Sequence, residues 1–511
     1  MKRKLLLALV TGVMLCVLSP TLFAGGGSER QKDELVIAVA TEPVHYVSLT
    51  EKSTSDFDQM VSFAVQDTLL KKNWVTGAAE PYLAESYEMS KDGLQIKVKL
   101  RNNVYFHDGS KLTAEDCKFT YDLVKKYQLG NILFINYDYT EVVDDLNFII
   151  HMSKPWKPIL NSLCSRVSPV VSKAYWEKVG PAEYDKKPIG TGPYKFVSAT
   201  AGDQIVLERN DNYWGQKPYF KRVIIKTILD VNTQIMAAQA GDVDVVISPP
   251  LDSLLKLNNP NVVWDSTPAN TTAELWFNFQ DSKWAANDLN FRKAVQYGIN
   301  KDAINQAVYN GKATLIDIYG APTFTGRPKP GTYSTYSYDP VKAKEFLAKS
   351  NYKGQEFKVV TWAGNVTEKI CQVIQGSLQE IGINMKVVAT DTATYYDTVR
   401  NTGNFDANYW TTGSSFTDMD SLGNTFLISR YELPRIKYPR GQELNDLCLA
   451  GRTEADDAKR LEIYAKASSI INEDVCQIYT NMDVQTILYR KGIKGIKADM
   501  VKYYRYQEWS R

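Results

Sequence analysis

Three features of the chain predict an α/β fold spread over several domains. A continuous apolar run at residues 35–39 and the two-residue strand period at residues 96–100 alternate with stretches of helical spacing such as residues 370–381. Strand, helix and strand also follow one another in single units: residues 233–240 read as a short helix closed by Gly241, and residues 243–247 return as a strand. Finally, 511 residues, at roughly 100–200 per domain, suit two to four domains with ample apolar material for their cores.

The elements follow in order from the amino terminus. Lys2, Arg3 and Lys4 precede an apolar run over residues 5–18, and Ser19-Pro20-Thr21-Leu22-Phe23-Ala24 comes next. A basic start, an apolar stretch too short to span a bilayer and a small residue at its end predict an export signal, residues 1–24, cleaved after Ala24. Leu15 before Cys16 is bulkier than a lipid-attachment signal takes, which argues against a lipid anchor and for a periplasmic product. Residues 25–33 read as a polar tether, and residues 35–39 as a buried first strand ended by Pro43, which has no amide to donate.

Residues 57–70 have helical spacing. Ile96, Val98 and Leu100 alternate with Lys97, Lys99 and Arg101 as a half-buried strand, His107-Asp108-Gly109-Ser110 makes a turn, and Thr113 with Asp116 forms a capping box that starts a helix. Residues 148–152, 205–207 and 223–225 are strand-like. A helix begins at Asp288, a second is capped near Asn300 and ended by Gly311, and a third starts at Asp339 with Pro340 in its first position. The apolar stripe of residues 370–381 ends at Gly382, and residues 383–387 alternate as a strand. Residues 457–471 are an amphipathic helix, and residues 487–506 read as strand-like.

Composition narrows the function. Formal net charge is +2 with both signs well mixed, so no nucleic-acid partner is expected. The three histidines, His45, His107 and His151, form no H-E-x-x-H pair, and no G-x-S-x-G elbow is present, so neither an enzyme nor a cofactor is expected. Beyond the signal, Cys117, Cys164, Cys371, Cys448 and Cys476 show no C-x-x-C spacing, which leaves one or two disulfides or buried thiols as open alternatives.

Four ordered motifs are more specific. They are R-x-x-V-x-F-H-D-G-x-x-L-T-A-E-D at residues 101–116, P-I-G-T-G-P-Y-K-F at 188–196, L-E-R-N-D-N-Y-W at 207–214 and F-R-K-A-V-Q-Y-G-I-N-K-D-A-I at 291–304. Together they resemble the family 5 extracellular solute-binding proteins, the peptide-binding receptors of ABC importers. The resemblance implies a type II periplasmic binding protein: two lobes around a ligand cleft, with an extra inserted α/β subdomain in the first lobe. It implies a first lobe of residues 34–70, 190–275 and 490–511, an inserted subdomain of 71–189 and a second lobe of 276–489. It also implies a monomer that hands a peptide-like solute to ABC permease subunits.

The same resemblance marks ligand neighbours. His45 and Tyr46 follow the first strand at the mouth of the implied cleft, and Arg400 falls where peptide receptors carry an arginine near the ligand's carboxylate. After Gly403-Asn404-Phe405-Asp406 the implied pattern breaks: the position of the aspartate that anchors a peptide's ammonium falls on Ser415, beside Ser414. Asp418 or Asp420 serves there only if the loop is longer. A neutral serine does not offset the desolvation of an ammonium, which brings in oligosaccharide or another neutral polar ligand as the alternative to peptide. Trp276, Trp284, Trp362 and Trp410 are then candidates to stack on the ligand, with Trp410, beside the polar loop, foremost.

Overall fold

The computed structural model describes residues 33–47, 49, 57–73, 78–127, 134–279, 283–413, 417–423, 438 and 440–511. Its first strand, β1 (Glu34–Val39), has five consecutive buried residues, as a strand covered on both faces requires. The helix Asp58–Val65 is shorter than its sequence spacing predicts, because Leu70 turns instead into β2 (Leu70–Lys72), which pairs with β3 (Ala79–Pro81).

A separate sheet holds β4 (Ala84–Met89), β5 (Gln95–Leu100), β6 (Tyr137–Val142) and β7 (Asn147–Met152) in the order β4-β5-β7-β6. In β5 the lysines point to solvent and Ile96, Val98 and Leu100 to the core, as their alternation dictates. The helix Ala114–Lys126 packs there through Cys117, Tyr121 and Val124, and Thr113 and Asp116 form its capping box.

The main sheet is built from β1 with β8 (Tyr194–Thr200), β9 (Gln204–Arg209), β10 (Arg222–Thr227), β11 (Val245–Ile247), β12 (Val262–Phe277), β13 (Thr314–Leu315), β14 (Phe357–Trp362), β15 (Met385–Thr390), β16 (Ala407–Gly413) and β17 (Gln477–Arg490). Its order is β15-β14-β16-β12-β17-β11-β1-β10-β9-β8, with β13 on β17. The long strands β12 and β17, of 16 and 14 residues, pair antiparallel and run through both lobes. One end of β17 pairs with β11, while residues Thr271 to Phe277 of β12 pair with β16. Between Pro268 and Thr272 the register slips, so that three residues of β12 oppose Asp483 alone. Such a bulge bends the strand and interrupts its ladder where the lobes meet.

Each lobe has its own core: Leu35, Val223 and Tyr506 belong to one, and Leu275, Phe291 and Ile374 to the other. Asp288, Asn300 and Asp339 each accept an amide hydrogen bond at the start of their helices, as their positions predict. One reading is corrected: β17 ends at Arg490, and residues 491–511 run as irregular chain apart from the short turn Tyr506–Glu508. That tail is held by reciprocal backbone bonds between Lys494 and Ser510 and by buried Trp509. Cys117, Cys164, Cys371, Cys448 and Cys476 are all buried free thiols, which decides the alternative left by their spacing.

Candidate functional site

Two cavities lie at the bulge of β12, where β12 and β17 pass between the lobes. The larger, about 360 Å³, has Thr267 and Pro268 of β12 in its wall, with Lys72, Tyr503 and Arg505 on one side and Thr323 and Thr417 on the other. The second, about 260 Å³, is lined by Gln59 and Arg166, by Thr271 and Gly413, and by Met500 and Tyr503, the last two shared with the first. Residues from both lobes therefore enclose the space, at a size suited to a small organic solute.

The irregular tail shapes this space because Asp499 folds it. Its carboxylate accepts the backbone N–H groups of Val501 (2.9 Å) and Tyr503 (3.0 Å), a local turn that sets Tyr503 against the cavity. Burial raises the Asp499 carboxyl above its ordinary range, with those amide bonds acting against the rise. Lys72 is also buried and bonds the Asn161 side chain, and desolvation lowers its ammonium's pKa.

On the second-lobe side, β12 and β16 bring two of the sequence-predicted tryptophans together. Trp276 and Trp410 pack edge to face with ring centroids 5.1 Å apart. Beside them is Glu274, directly across the ladder from Trp410 and 0% exposed. Its Oε1 accepts the Trp410 indole N–H (3.2 Å) and the Thr412 hydroxyl, whereas its Oε2 has no hydrogen-bond partner. Burial pushes this carboxyl up to about 8, opposed by the Thr412 hydroxyl, the nearby Trp276 indole and the Trp410 indole.

The other predicted residues lie apart. Asp418 binds the Arg460 guanidinium through both oxygens, at 2.5 and 3.1 Å, and Asp420 takes Arg452 (2.9 Å) and the Trp156 indole N–H (3.2 Å). Both carboxylates are thus committed to internal partners and not to a ligand's ammonium. Burial raises the Asp420 carboxyl, and the Arg452 charge pulls it back. Arg400 is exposed and lies over the Tyr396 ring, 4.2 Å from its centroid. His45 bonds Asp185 through Nδ1 (2.7 Å), Tyr46 donates its backbone N–H to the same carboxylate, and the Tyr46 ring packs on Phe196. Ser414 and Ser415 lie outside the described residues.

Sequence reading missed Glu274, Lys72 and the tail residues Asp499 to Arg505. The D-M-V-K-Y spacing of an aspartate two to four residues before the amides it binds was the available signal for the tail turn. For Glu274 the signal was a lone acid inside Ala273-Glu274-Leu275-Trp276-Phe277.

A sheet carried by two long paired strands that run through both lobes, with a bulge in β12 and cavities enclosed there, defines a two-lobed solute-binding receptor. The chain belongs to the bacterial extracellular solute-binding proteins of family 5, whose middle region matches residues 78–432. It is 25% identical to the dipeptide-binding protein of Escherichia coli K12 over 84% of this chain and 86% of that one. It is 29% identical to the glutathione-binding protein GsiB of Pectobacterium atrosepticum, a match spanning 60% of each chain. The structure of the ABC transporter substrate-binding protein CtaP of Listeria monocytogenes has the same fold, with a TM-score of 0.81 and 23% identity over 93% of this chain and 98% of that one. The chain is accordingly an extracellular solute-binding receptor of the ABC-importer class and not an enzyme. No helix among the described residues is long and apolar enough to cross a membrane.

Proposed function

We propose that this receptor captures a short peptide-like solute between its lobes and delivers it to an ABC permease, acting as a periplasmic monomer released from its signal after Ala24. The carrying observation is the pair of cavities at the bulge of β12, enclosed from both lobes by side chains with hydrogen-bonding tips such as Tyr503, Arg505 and Gln59. Relatives named for dipeptide and glutathione binding support the ligand class. The division into a first lobe of residues 34–70, 190–275 and 490–511, an insert of 71–189 and a second lobe of 276–489 belongs to the same reading. Trp276 and Trp410 are its ligand neighbours on the second lobe. A solute that touches both lobes favours the closed arrangement through contacts absent from the open one.

Thermal unfolding of residues 25–511 against pooled di- and tripeptides, glutathione and pooled oligosaccharides tests this. A ligand at a hundred times its Kd stabilises the fold by about 2.7 kcal/mol, which raises Tm by a few degrees in a chain of this size. Peptides or glutathione are expected to give that rise. A rise with oligosaccharides alone would overturn the peptide reading.

A further inference from the structure

We propose that Lys72 and Arg505 form an anion-binding site in the wall of the larger cavity, and that the solute is a net-negative one that places an acid group there. The inference rests on the reading of this chain as a receptor for peptide-like solutes, and it narrows that class to acidic ones.

Lys72 closes β2 and is 6% exposed, yet it lines the 360 Å³ cavity and a smaller one of about 30 Å³. Its ammonium carries three N–H donors. One goes to the side-chain oxygen of Asn161, a neutral partner, and no carboxylate among the described residues forms an ion pair with it. The acid whose charge reaches it is Asp418, and both oxygens of Asp418 are held by the Arg460 guanidinium. The Cys164 thiol also lines the smaller cavity, but burial pushes it up to about 12, so it supplies no anion at neutral pH. A buried ammonium with two donors unused is costly unless an anion meets it, and the open side of Lys72 is the cavity.

Arg505 supplies a second cation at the same wall. Its Nη2 donates to the Lys72 backbone carbonyl (3.5 Å), which sets the guanidinium beside β2, and its Nη1 reaches Glu508 (3.3 Å). Glu508 is exposed, so that pair is weak, and the fork keeps further N–H groups for a planar acid.

The charge balance of the walls sets the class of solute. Lys497 adds a third cation to the larger cavity, where the acids are Asp499 and Glu508. Asp499 is spent on the amides of its own turn and Glu508 on Arg505. The 260 Å³ cavity adds Arg166 and Lys502 and no acid. A solute's ammonium finds no uncommitted carboxylate on these walls, while an additional acid group finds a cation surplus. A zwitterion leaves that surplus unmatched, and a solute with an acidic side chain offsets it. Arg400, the residue implied for a peptide's terminal carboxylate, lines neither cavity, so this site is a separate one.

The test is isothermal calorimetry on the wild type, Lys72→Met and Arg505→Gln with three probes: alanyl-glutamyl-alanine, its glutamine counterpart and tricarballylate, a tricarboxylate without an amino group. The wild type is expected to prefer the glutamyl peptide by at least about tenfold, and each variant to lose most of that preference. Unliganded Lys72→Met is expected to melt no lower than the wild type, because the substitution removes a buried cation that lacks a charged partner. A lower Tm for Lys72→Met with the preference intact would make Lys72 a structural residue and overturn the site. Should Lys72→Met fail to fold, Arg505→Gln decides: an intact preference in that variant overturns the site. Equal binding of the two peptides by the wild type would overturn the site and leave the peptide reading in place. Tricarballylate bound through Lys72, with no response to either peptide, would sustain the site and overturn the peptide reading. Failure of the folded wild type to bind any of the three overturns the site outright.

Discussion

At the scale of single residues, Glu274 makes the stability of the unliganded protein depend on pH in a direction opposite to that of most carboxylates. Burial holds its carboxyl at about 8, against an ordinary 4.5, so between those values the folded chain keeps a proton that the unfolded chain has lost. Its contribution is therefore fully present below pH 4.5 and is lost as pH rises through 8, a difference of up to about 5 kcal/mol. Glu274→Gln removes the ionisable group and keeps the shape. Its unfolding free energy, followed by urea titration at pH 5, 7 and 9, is expected to fall less across that range than the wild type's. Parallel slopes for the two proteins would show that Glu274 is ionised when folded.

Among elements, the helix Asp457–Asp474 is fastened to the segment after β16 by one buried ion pair. Arg460 reaches Asp418 with two nitrogens and the Gly451 carbonyl with a third, and neither charged group meets solvent. Arg460→Met leaves the Asp418 charge buried and unmatched, which costs about 3–5 kcal/mol. Denaturation of that variant is expected to show the loss, and Asp418→Asn with Arg460→Met together is expected to recover part of it. A single variant as stable as the wild type would contradict the role given to the pair.

Elements of this kind were largely legible from sequence, because their causes are local. The alternation in residues 96–100 needs only one wet face, and the caps at Asp288, Asn300 and Asp339 need only a short polar side chain ahead of a helix. The site was much less legible. Glu274 looks like the solvent-facing position of an alternating strand, and it is buried because β16 and β17 cover β12 from both sides, strands that arrive more than a hundred residues later. The tail from Lys491 onward has no period to read, since its side chains are placed by the cavity they border. Trp276 and Trp410 were two of four tryptophans able to stack on a ligand, only Trp410 standing beside a polar loop, and register alone makes them neighbours.

For the whole molecule, the decisive quantity is how readily the lobes close, and one hydrogen bond in this structure bears on it. The Trp156 indole, which belongs to the core around the four-stranded sheet, donates to Asp420, which is 1% exposed and lies among second-lobe residues. Beside it Lys157 reaches Asp457 at 2.5 Å across the same boundary, but Asp457 is largely exposed, so that pair adds little. The indole bond exists only while these surfaces touch, and it therefore adds to the closed arrangement and not to the open one. Trp156→Phe keeps most of the ring and removes the donor, leaving Asp420 with Arg452 alone, a change of about 1.5–3 kcal/mol for a bond to a charged group. A receptor that spends less time closed binds its solute more weakly by the fraction of closed molecules lost. The expected outcome is a larger radius of gyration in small-angle scattering without ligand, weaker peptide affinity, and an unchanged radius once the solute saturates. If the unliganded radius matches that of the wild type while affinity falls, Trp156 acts on the solute or on folding, and closure is governed by the bulge in β12 instead.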